Sequence, residues 1–349
     1  TVVGKQLQHT GPSNGVLIDG PCLRSSMDSP GFLAAMCGLT EGWESGVLMR
    51  STDSGQTWTN AQGFSGPVPI GYTTNAAAAS VDPRVIDVTS RINVVMISGA
   101  LASVTEQSML NGANFFAYGA PGRWEIIAAQ NCVLQGDGSY TLDTLLRGRF
   151  GSEWTMYLHS AADALVLLTD LDLAFVSQDI NTINASIDWR AVTTGKPVAS
   201  GADIEFSYSG ENLRPLSPVH FNSARSRTSG DWTLSWTRRS RIGGEWIGGT
   251  TVPLAESAER YEIDIYFDQQ YRFLRRTLYA ESPTVTYDYD AQVSDYMLYL
   301  PIYAKIYQIS ATVGRGRPLE AVAVPDLYAY VGTLPDPAPL DDSVYAFFP

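Results

Sequence analysis

The sequence predicts a mainly β protein: a mixed, β-rich N-terminal domain followed by an immunoglobulin-like sandwich. Three observations carry that prediction. The chain holds 31 Gly and 19 Pro among 349 residues, and such punctuation marks many turns. It holds 18 Tyr and 8 Trp, residue types that favour strands. Several segments alternate apolar and polar residues with period two, as half-buried antiparallel strands do. The length suits two average domains and lets the chain bury a core unaided. Charged residues are 17% and hydrophobic residues 44% of the chain, the balance of a folded protein.

Residues 1–80 are turn-rich, and short strands are expected at 15–18, 31–37 and 46–51. Residues 85–97 read as one strand dominated by Val and Ile. A short helix is expected at 105–110, capped by Thr105 and ended by Asn111-Gly112. Further strands follow at 114–118, 123–128 and 139–142, the last entered through a Gly136-Asp137-Gly138 hairpin turn. Residues 165–168 form a short apolar run, and 187–208 alternate loosely. Gly210, Pro215 and Pro218 then break regular structure, which sets domains at 1–210 and 211–324.

The second domain is more regular. Trp232, Leu234 and Trp236 alternate on one face, as do Tyr261, Ile263 and Ile265, with Glu262 and Asp264 opposite. Tyr307, Ile309, Ala311 and Val313 give a third alternation. About seven such strands in about 110 residues fit a sandwich. Residues 325–349 read as an extended, proline-spaced acidic arm ending in Tyr345, Phe347 and Phe348.

Charge and composition exclude several functions. A net charge of -13 argues against nonspecific nucleic-acid binding, which needs a positive surface. Lysine occurs only at 5, 196 and 305, so Arg carries the cationic contacts. That suits interfaces, with codon bias as the other reading. Cys22, Cys37 and Cys132 form no CxxC pair, and His9, His159 and His220 are far apart, so neither a metal site nor a cofactor is expected. The cysteines read as small buried residues, with a Cys22–Cys37 disulfide as the alternative. No apolar run approaches the roughly 18 residues of a membrane helix, and no signal peptide is read. The chain opens on Thr1, which we read as a trimmed chain or a piece of a longer polypeptide.

Among local motifs, residues 51–58 (STDSGQTW) resemble the Asp-box of sialidases and other propeller proteins. The expected role is a structural turn. Asp53 accepts backbone N–H bonds, Gly55 takes positive φ, and Trp58 anchors the hairpin. Propellers need repeats, and no second copy is found. The carboxylate pairs Glu41/Glu44, Asp170/Asp172, Glu256/Glu259 and Glu262/Asp264 are the candidates for glycosidase chemistry, and they read as solvated faces. No nucleophile elbow, zinc-protease, P-loop or dinucleotide motif is present, so no catalytic residue is assigned. Residues 314–318 (GRGRP) read as a glycine-rich turn. Arg238, Arg239 and Arg241 with Trp246, flanked by Gly pairs, read as a protruding basic, aromatic hairpin tip and the candidate surface contact. The competing reading folds Trp246 back onto its own domain.

Residues 145–153 (LLRGRFGSE) resemble the LLRGRxGTE signature of a tail-tip family found in siphophages, prophages and gene transfer agents. Segments 101–106, 110–114, 124–127 and 140–142 match in the expected order. So do 213–220, 234–239, 252–254, 261–263 and 307–316 in a domain that looks like fibronectin type III. The resemblance spans roughly residues 15–322. It implies a virion structural protein at the distal tail tip or baseplate. Its partners would be other tail proteins and a host-surface receptor, including a glycan, with assembly as a homotrimer. In gene-transfer-agent relatives a glycosidase-like portion precedes this region, and its wall-degrading role does not carry over to these residues. The alternative is a secreted carbohydrate-active protein, a glycoside hydrolase or glycan-binding adhesin, with a fibronectin-like accessory module.

Overall fold

A computed structural model describes residues 11–78, 82–168, 173–243 and 252–325. The terminal arm from 326 onward, Trp246, and the Asp170/Asp172 pair lie outside these residues. The chain is mainly β and divides into two compact units. The first comprises Thr1–Arg214 with Arg241–Pro253, the second Pro215–Ser240 with Leu254–Pro349.

The first unit contains β1 (Ser13–Ile18), β2 (Gly31–Gly38), β3 (Gly46–Ser51), β4 (Thr59–Phe64), β5 (Ile70–Thr73), β6 (Ile92–Ser98) and α1 (Glu106–Leu110). It continues with β7 (Phe115–Gly119), β8 (Glu125–Leu134), β9 (Tyr140–Arg149), β10 (Ala164–Leu167), β11 (Ala174–Ser177), β12 (Asp188–Thr193) and β13 (Ala202–Ile204). Strands β10-β5-β6-β9-β8-β7 close into a barrel. Beside it lies a sheet of order β1-β2-β11, and beyond that a sheet of order β13-β12-β3-β4.

Strand β2 explains the layering. Its sequence GFLAAMCG is apolar at successive positions and buried throughout, as a strand covered on both faces must be. Leu33, Ala35 and Cys37 pack with Ile70, Ala117, Ile126 and Val166 of the barrel wall. Phe32, Ala34 and Met36 face the other way, onto Leu48, Trp189 and Ala191. Inside the barrel, Ile92, Val94, Phe116, Ile127, Leu142, Leu145 and Leu165 form a separate core.

The second unit contains β14 (Val219–Arg225), β15 (Trp232–Thr237), β16 (Tyr261–Tyr266), β17 (Leu274–Ala280), β18 (Thr284–Tyr287), α2 (Tyr289–Ser294), β19 (Ile302–Ser310), β20 (Gly314–Arg315) and β21 (Leu319–Ala323). Sheet β14-β15-β18 faces sheet β17-β16-β19-β20, with β21 also pairing β19. One core unites them, including Trp232, Leu234, Trp236, Ile263, Ile265, Tyr287, Ile302 and Ile306. Two antiparallel sheets around a shared core make an immunoglobulin-like sandwich.

Several expectations are corrected. Residues 85–97 are not one strand: β6 starts at Ile92, and Asp87 makes an isolated bridge to Leu145. Asp87 is 2% exposed and Val88 61%, because the carboxylate turns inward to accept the Thr89 and Ser90 amides. Strand β9 runs past residue 142 to Arg149. The last alternation has the right period and the wrong phase. Ile302, Ala304 and Ile306 are buried, Tyr307 and Ile309 face outward, and a one-residue shift exchanges the faces. The segment from Arg241 belongs with the first unit rather than the sandwich: Arg241 pairs with Asp28 at 3.0 Å, and Ile242 packs on the core of β1, β2 and the barrel wall. All three cysteines are buried and free, so the disulfide alternative falls. Thr105 does cap α1, accepting from the Ser108 amide at 3.1 Å. Among the described residues no helix is long and apolar enough to cross a membrane.

Candidate functional site

The Asp-box segment forms the turn between β3 and β4. Asp53 accepts the Thr57 amide at 2.9 Å, the Thr57 hydroxyl at 2.6 Å and the Ser51 hydroxyl at 2.7 Å. These bonds, led by the Thr57 hydroxyl, hold its carboxyl down at about 2. Gly55 has φ +80, a conformation L residues resist. Trp58 donates its indole N–H to the Gly55 carbonyl at 3.1 Å. It is half-buried, and the Arg190 guanidinium sits 4.3 Å from its ring centre. Arg190 is held in turn by Asp203 at 2.6 Å.

The Trp58 indole is one wall of a groove of about 770 Å³, also lined by residues 184–190 and 203–207. Trp189 and Phe206 form part of that lining and stack edge-to-face with each other. Asp188, Asp203 and Glu205 line it as well. Only Gly55 and Trp58 of this groove were singled out in sequence. Most of the rest arrive on or beside β12, which pairs with β3 far along the chain, and β13, which pairs with β12.

The LLRGR segment occupies the second half of β9, and its alternation places each residue. Leu145 points into the barrel core. Leu146 points out beneath α1, against Met109 and Ala128. Arg147 points in and is fully buried. Its guanidinium donates to both oxygens of Glu125, at 2.7 and 2.8 Å. Glu125 also accepts the Gly148 amide at 2.7 Å and meets His159 Nε2 at 2.7 Å. His159 Nδ1 lies 3.0 Å from Asp163, which Arg123 grips with both terminal nitrogens. The imidazole stacks on Tyr118 at 3.8 Å. Asp87 approaches Arg147 at 3.6 Å.

Both ring nitrogens of His159 face carboxylates, so the imidazolium, a donor at each nitrogen, is the favoured form. Burial alone would lower its pKa, but hydrogen bonds to Asp163 and Glu125 outweigh that and raise it. Burial would likewise raise Glu125 and Asp163, yet His159 with Arg147, and His159 with Arg123, hold them below the usual carboxylate range. Three cations and three carboxylates then balance in the barrel interior. Each oxygen of Glu125 and Asp163 already accepts an internal donor, so neither offers a free lone pair of the kind a general base uses. The histidine that looked isolated in sequence was missed as a partner. Its spacing to Asp163, four residues on, was the one local signal.

The remaining site residues are dispersed. Arg239 donates to the Ser217 carbonyl at 2.7 Å, Arg238 lies 3.6 Å from Glu259, and the Arg241 side chain is 8% exposed against Asp28. Each is engaged locally, and the three do not share one unit, so the expected exposed tip is corrected for the arginines. Trp246 lies outside the described residues. The GRGRP turn is more than a turn: Arg315 bonds Glu262 at 2.6 Å and Asp264 at 2.6 Å, and Asp264 is 2% exposed rather than solvated. Glu41 lines a smaller cavity of about 420 Å³ that Glu44 does not line. Glu259 accepts from Tyr261. Among the described residues no group of three His, Cys, Asp or Glu is placed to hold a metal.

Residues 68–166 match the family model described as Rcc01698-like, C-terminal, a gene-transfer-agent-like family. The match runs from the start of β5 into β10, the span of the barrel. It is compatible with a gene-transfer-agent or phage-related structural protein. No curated protein matches the sequence. Among solved structures, the chain is similar to domains d3–d4 of the rat CD45 extracellular region. There the identity is 12%, covering 45% of this chain and 71% of that one, with a TM-score of 0.24. It is also similar to the FN1–FN3 domains of chicken CNTN1, at 9% identity over 91% of this chain and 100% of that one, with a TM-score of 0.21. The fold assignment rests on the sheets described above rather than on these scores.

Proposed function

We propose that the chain is a non-enzymatic virion structural protein of the distal tail tip or baseplate, which binds other tail proteins and the host surface. The observation that carries this reading is the family match over the barrel. The buried charges of that barrel support it, because they are consumed in holding β8, β9 and the 159–163 turn together. A domain whose ionisable groups are spent internally acts through its surface. In this reading the sandwich is a second binding surface, and the particle carries the chain as a homotrimer on the tail axis. Gold-labelled antibody against the chain should decorate the end of the tail in electron micrographs. Label along the tube would overturn the placement. Native mass spectrometry of the purified chain should give three copies.

One observation favours a second reading, a carbohydrate-active protein: Asp188, Asp203 and Glu205 share a groove with two tryptophans. Incubation with bacterial polysaccharides separates the two. Turnover that Asp203→Asn abolishes would establish a hydrolase and remove the non-enzymatic claim.

A further inference from the structure

We infer that the groove between the Asp-box turn and strands β12 and β13 is a binding site for a neutral glycan, with a pyranose ring seated against Trp58. The inference deepens the host-surface reading by naming a ligand class, and it rests on that reading only for its biological setting.

Four observations carry it. The groove, about 770 Å³, falls in the size range of small-ligand sites, roughly 300–1,000 Å³. Its aromatic wall is preorganised. The Trp58 indole is tied at its N–H to the Gly55 carbonyl, and the Arg190 guanidinium, itself part of the groove lining, covers one face of the ring and is fixed by Asp203. A ligand therefore meets a platform whose ordering cost is already met. An indole offers a broad apolar face with a π cloud, which suits the C–H face of a sugar ring. Polar acceptors line the same groove: Asp188 and Glu205 are exposed there, and ionised carboxylates accept hydroxyl donors with charge-assisted bonds.

The same charges set the specificity. Three carboxylates face a single guanidinium, and that guanidinium is committed to Asp203 and Trp58. A sialic or uronic acid would bring its own carboxylate into a site of net negative charge with no free cation to receive it. Repulsion of that kind rejects a ligand more effectively than a missing contact does. So the Asp-box, a motif shared with sialidases, here borders a site built against sialosides.

The test uses the full chain and an immobilised panel of neutral oligosaccharides, including maltohexaose and N-acetylglucosamine oligomers, beside 3′-sialyllactose and oligogalacturonate. Saturable binding to a neutral member is expected, with no acidic member bound more tightly. Trp58→Ala should weaken that binding by about tenfold or more, the loss typical of an aromatic anchor. Trp58 also anchors the turn, so a second variant is needed. Ser207→Trp places bulk in the groove away from the hairpin and should block binding while thermal unfolding stays near wild type. No binding by any neutral member, preference for an acidic one, or unchanged affinity in Ser207→Trp would each overturn the inference. None of these results moves the antibody label on the tail, so failure here is separable from failure of the tail-tip reading.

Discussion

Each unit holds one arginine that clamps two acidic groups, and the two clamps differ in depth. In the barrel, Arg147 is 0% exposed and grips Glu125, also 0% exposed. In the sandwich, Arg315 is 42% exposed and grips Glu262 and Asp264. The residue types are the same, and each arginine holds a carboxylate at under 3 Å, but the second acidic group lies at 3.6 Å in the barrel and 2.6 Å in the sandwich. The surroundings differ, and depth decides what each clamp is worth. A buried pair repays its desolvation only while it is complete, so removing one member strands the other without water. A pair whose cation is exposed is screened, and water can take the place of the cation when it is lost.

The largest effect is therefore expected at Arg147. Arg147→Met strips buried Glu125 of two charge-assisted bonds, leaving it His159 and the Gly148 amide, and leaves Asp87 buried without its cation; it should cost about 3 kcal/mol in urea unfolding of the intact chain. Adding Glu125→Leu to that variant should recover part of the loss by removing one under-paired carboxylate, but not all of it, because Asp87 and His159 stay buried with one partner fewer. A single variant that unfolds near the wild-type midpoint would remove the claim that this network holds the barrel. Next in size is Gly148→Ala. Gly148 has φ +58, and an added Cβ would lie 2.8 Å from the Glu153 Cα, a backbone atom that cannot step aside. A loss of about 1–3 kcal/mol is expected. Gly138, at φ +86 with nothing within 4 Å, supplies the control. Gly138→Ala should cost only the conformational penalty, about 1 kcal/mol.

His159 gives the comparison a pH axis, since no histidine joins the sandwich clamp. Its folded pKa is raised above an ordinary value of about 6.5. The stability it contributes is fully present below that ordinary value and is lost as pH rises through the folded pKa. Glu125 and Asp163 are shifted down, so theirs is present above the usual carboxylate range and is lost as pH falls through the folded values. Melting curves from neutral to alkaline pH should show wild type losing stability and His159→Gln losing less. Parallel curves would mean the imidazolium contributes nothing.

The comparison also shows what a sequence discloses. The alternations of Trp232, Leu234 and Trp236 and of Tyr261, Ile263 and Ile265 were legible because one face of each strand meets a core and the other water. The phase of β19 was not, since Tyr307 and Ile309 are apolar enough to be taken for core while sitting outside, Tyr307 under the Arg315 guanidinium at 4.5 Å. The Asp-box turn was legible because its bonds span only a few residues. The groove was not: Trp58 meets Arg190, which Asp203 holds, across more than a hundred residues, through strand pairings that local pattern cannot encode. The LLRGR segment was recognised as a string, yet its role depends on Glu125 across a hairpin and on His159 after a further turn. An inward-pointing charge on each of β8 and β9 was visible as a charge and invisible as a pair.

The smallest effect is expected at the sandwich clamp. Arg315→Gln removes the cation from Glu262 and Asp264, and Asp264 is itself 2% exposed, which at first sight matches the barrel. The difference lies in access to water, since the carboxylates of both clamps keep a partner, Glu125 through His159 and the Gly148 amide. Asp264 keeps the Thr277 hydroxyl at 2.7 Å, and Arg315 is exposed enough that water takes its place when it is cut back. The loss should be about 1 kcal/mol or less. It should shrink further as salt rises toward 1 M, where the screening length falls to about 3 Å. The Arg147→Met loss should hardly respond to salt, because ions do not enter the barrel core. A salt-insensitive loss of several kcal/mol in Arg315→Gln would mean that depth, as read from exposure of the arginine, is the wrong variable. The burial of the carboxylate would then govern both clamps.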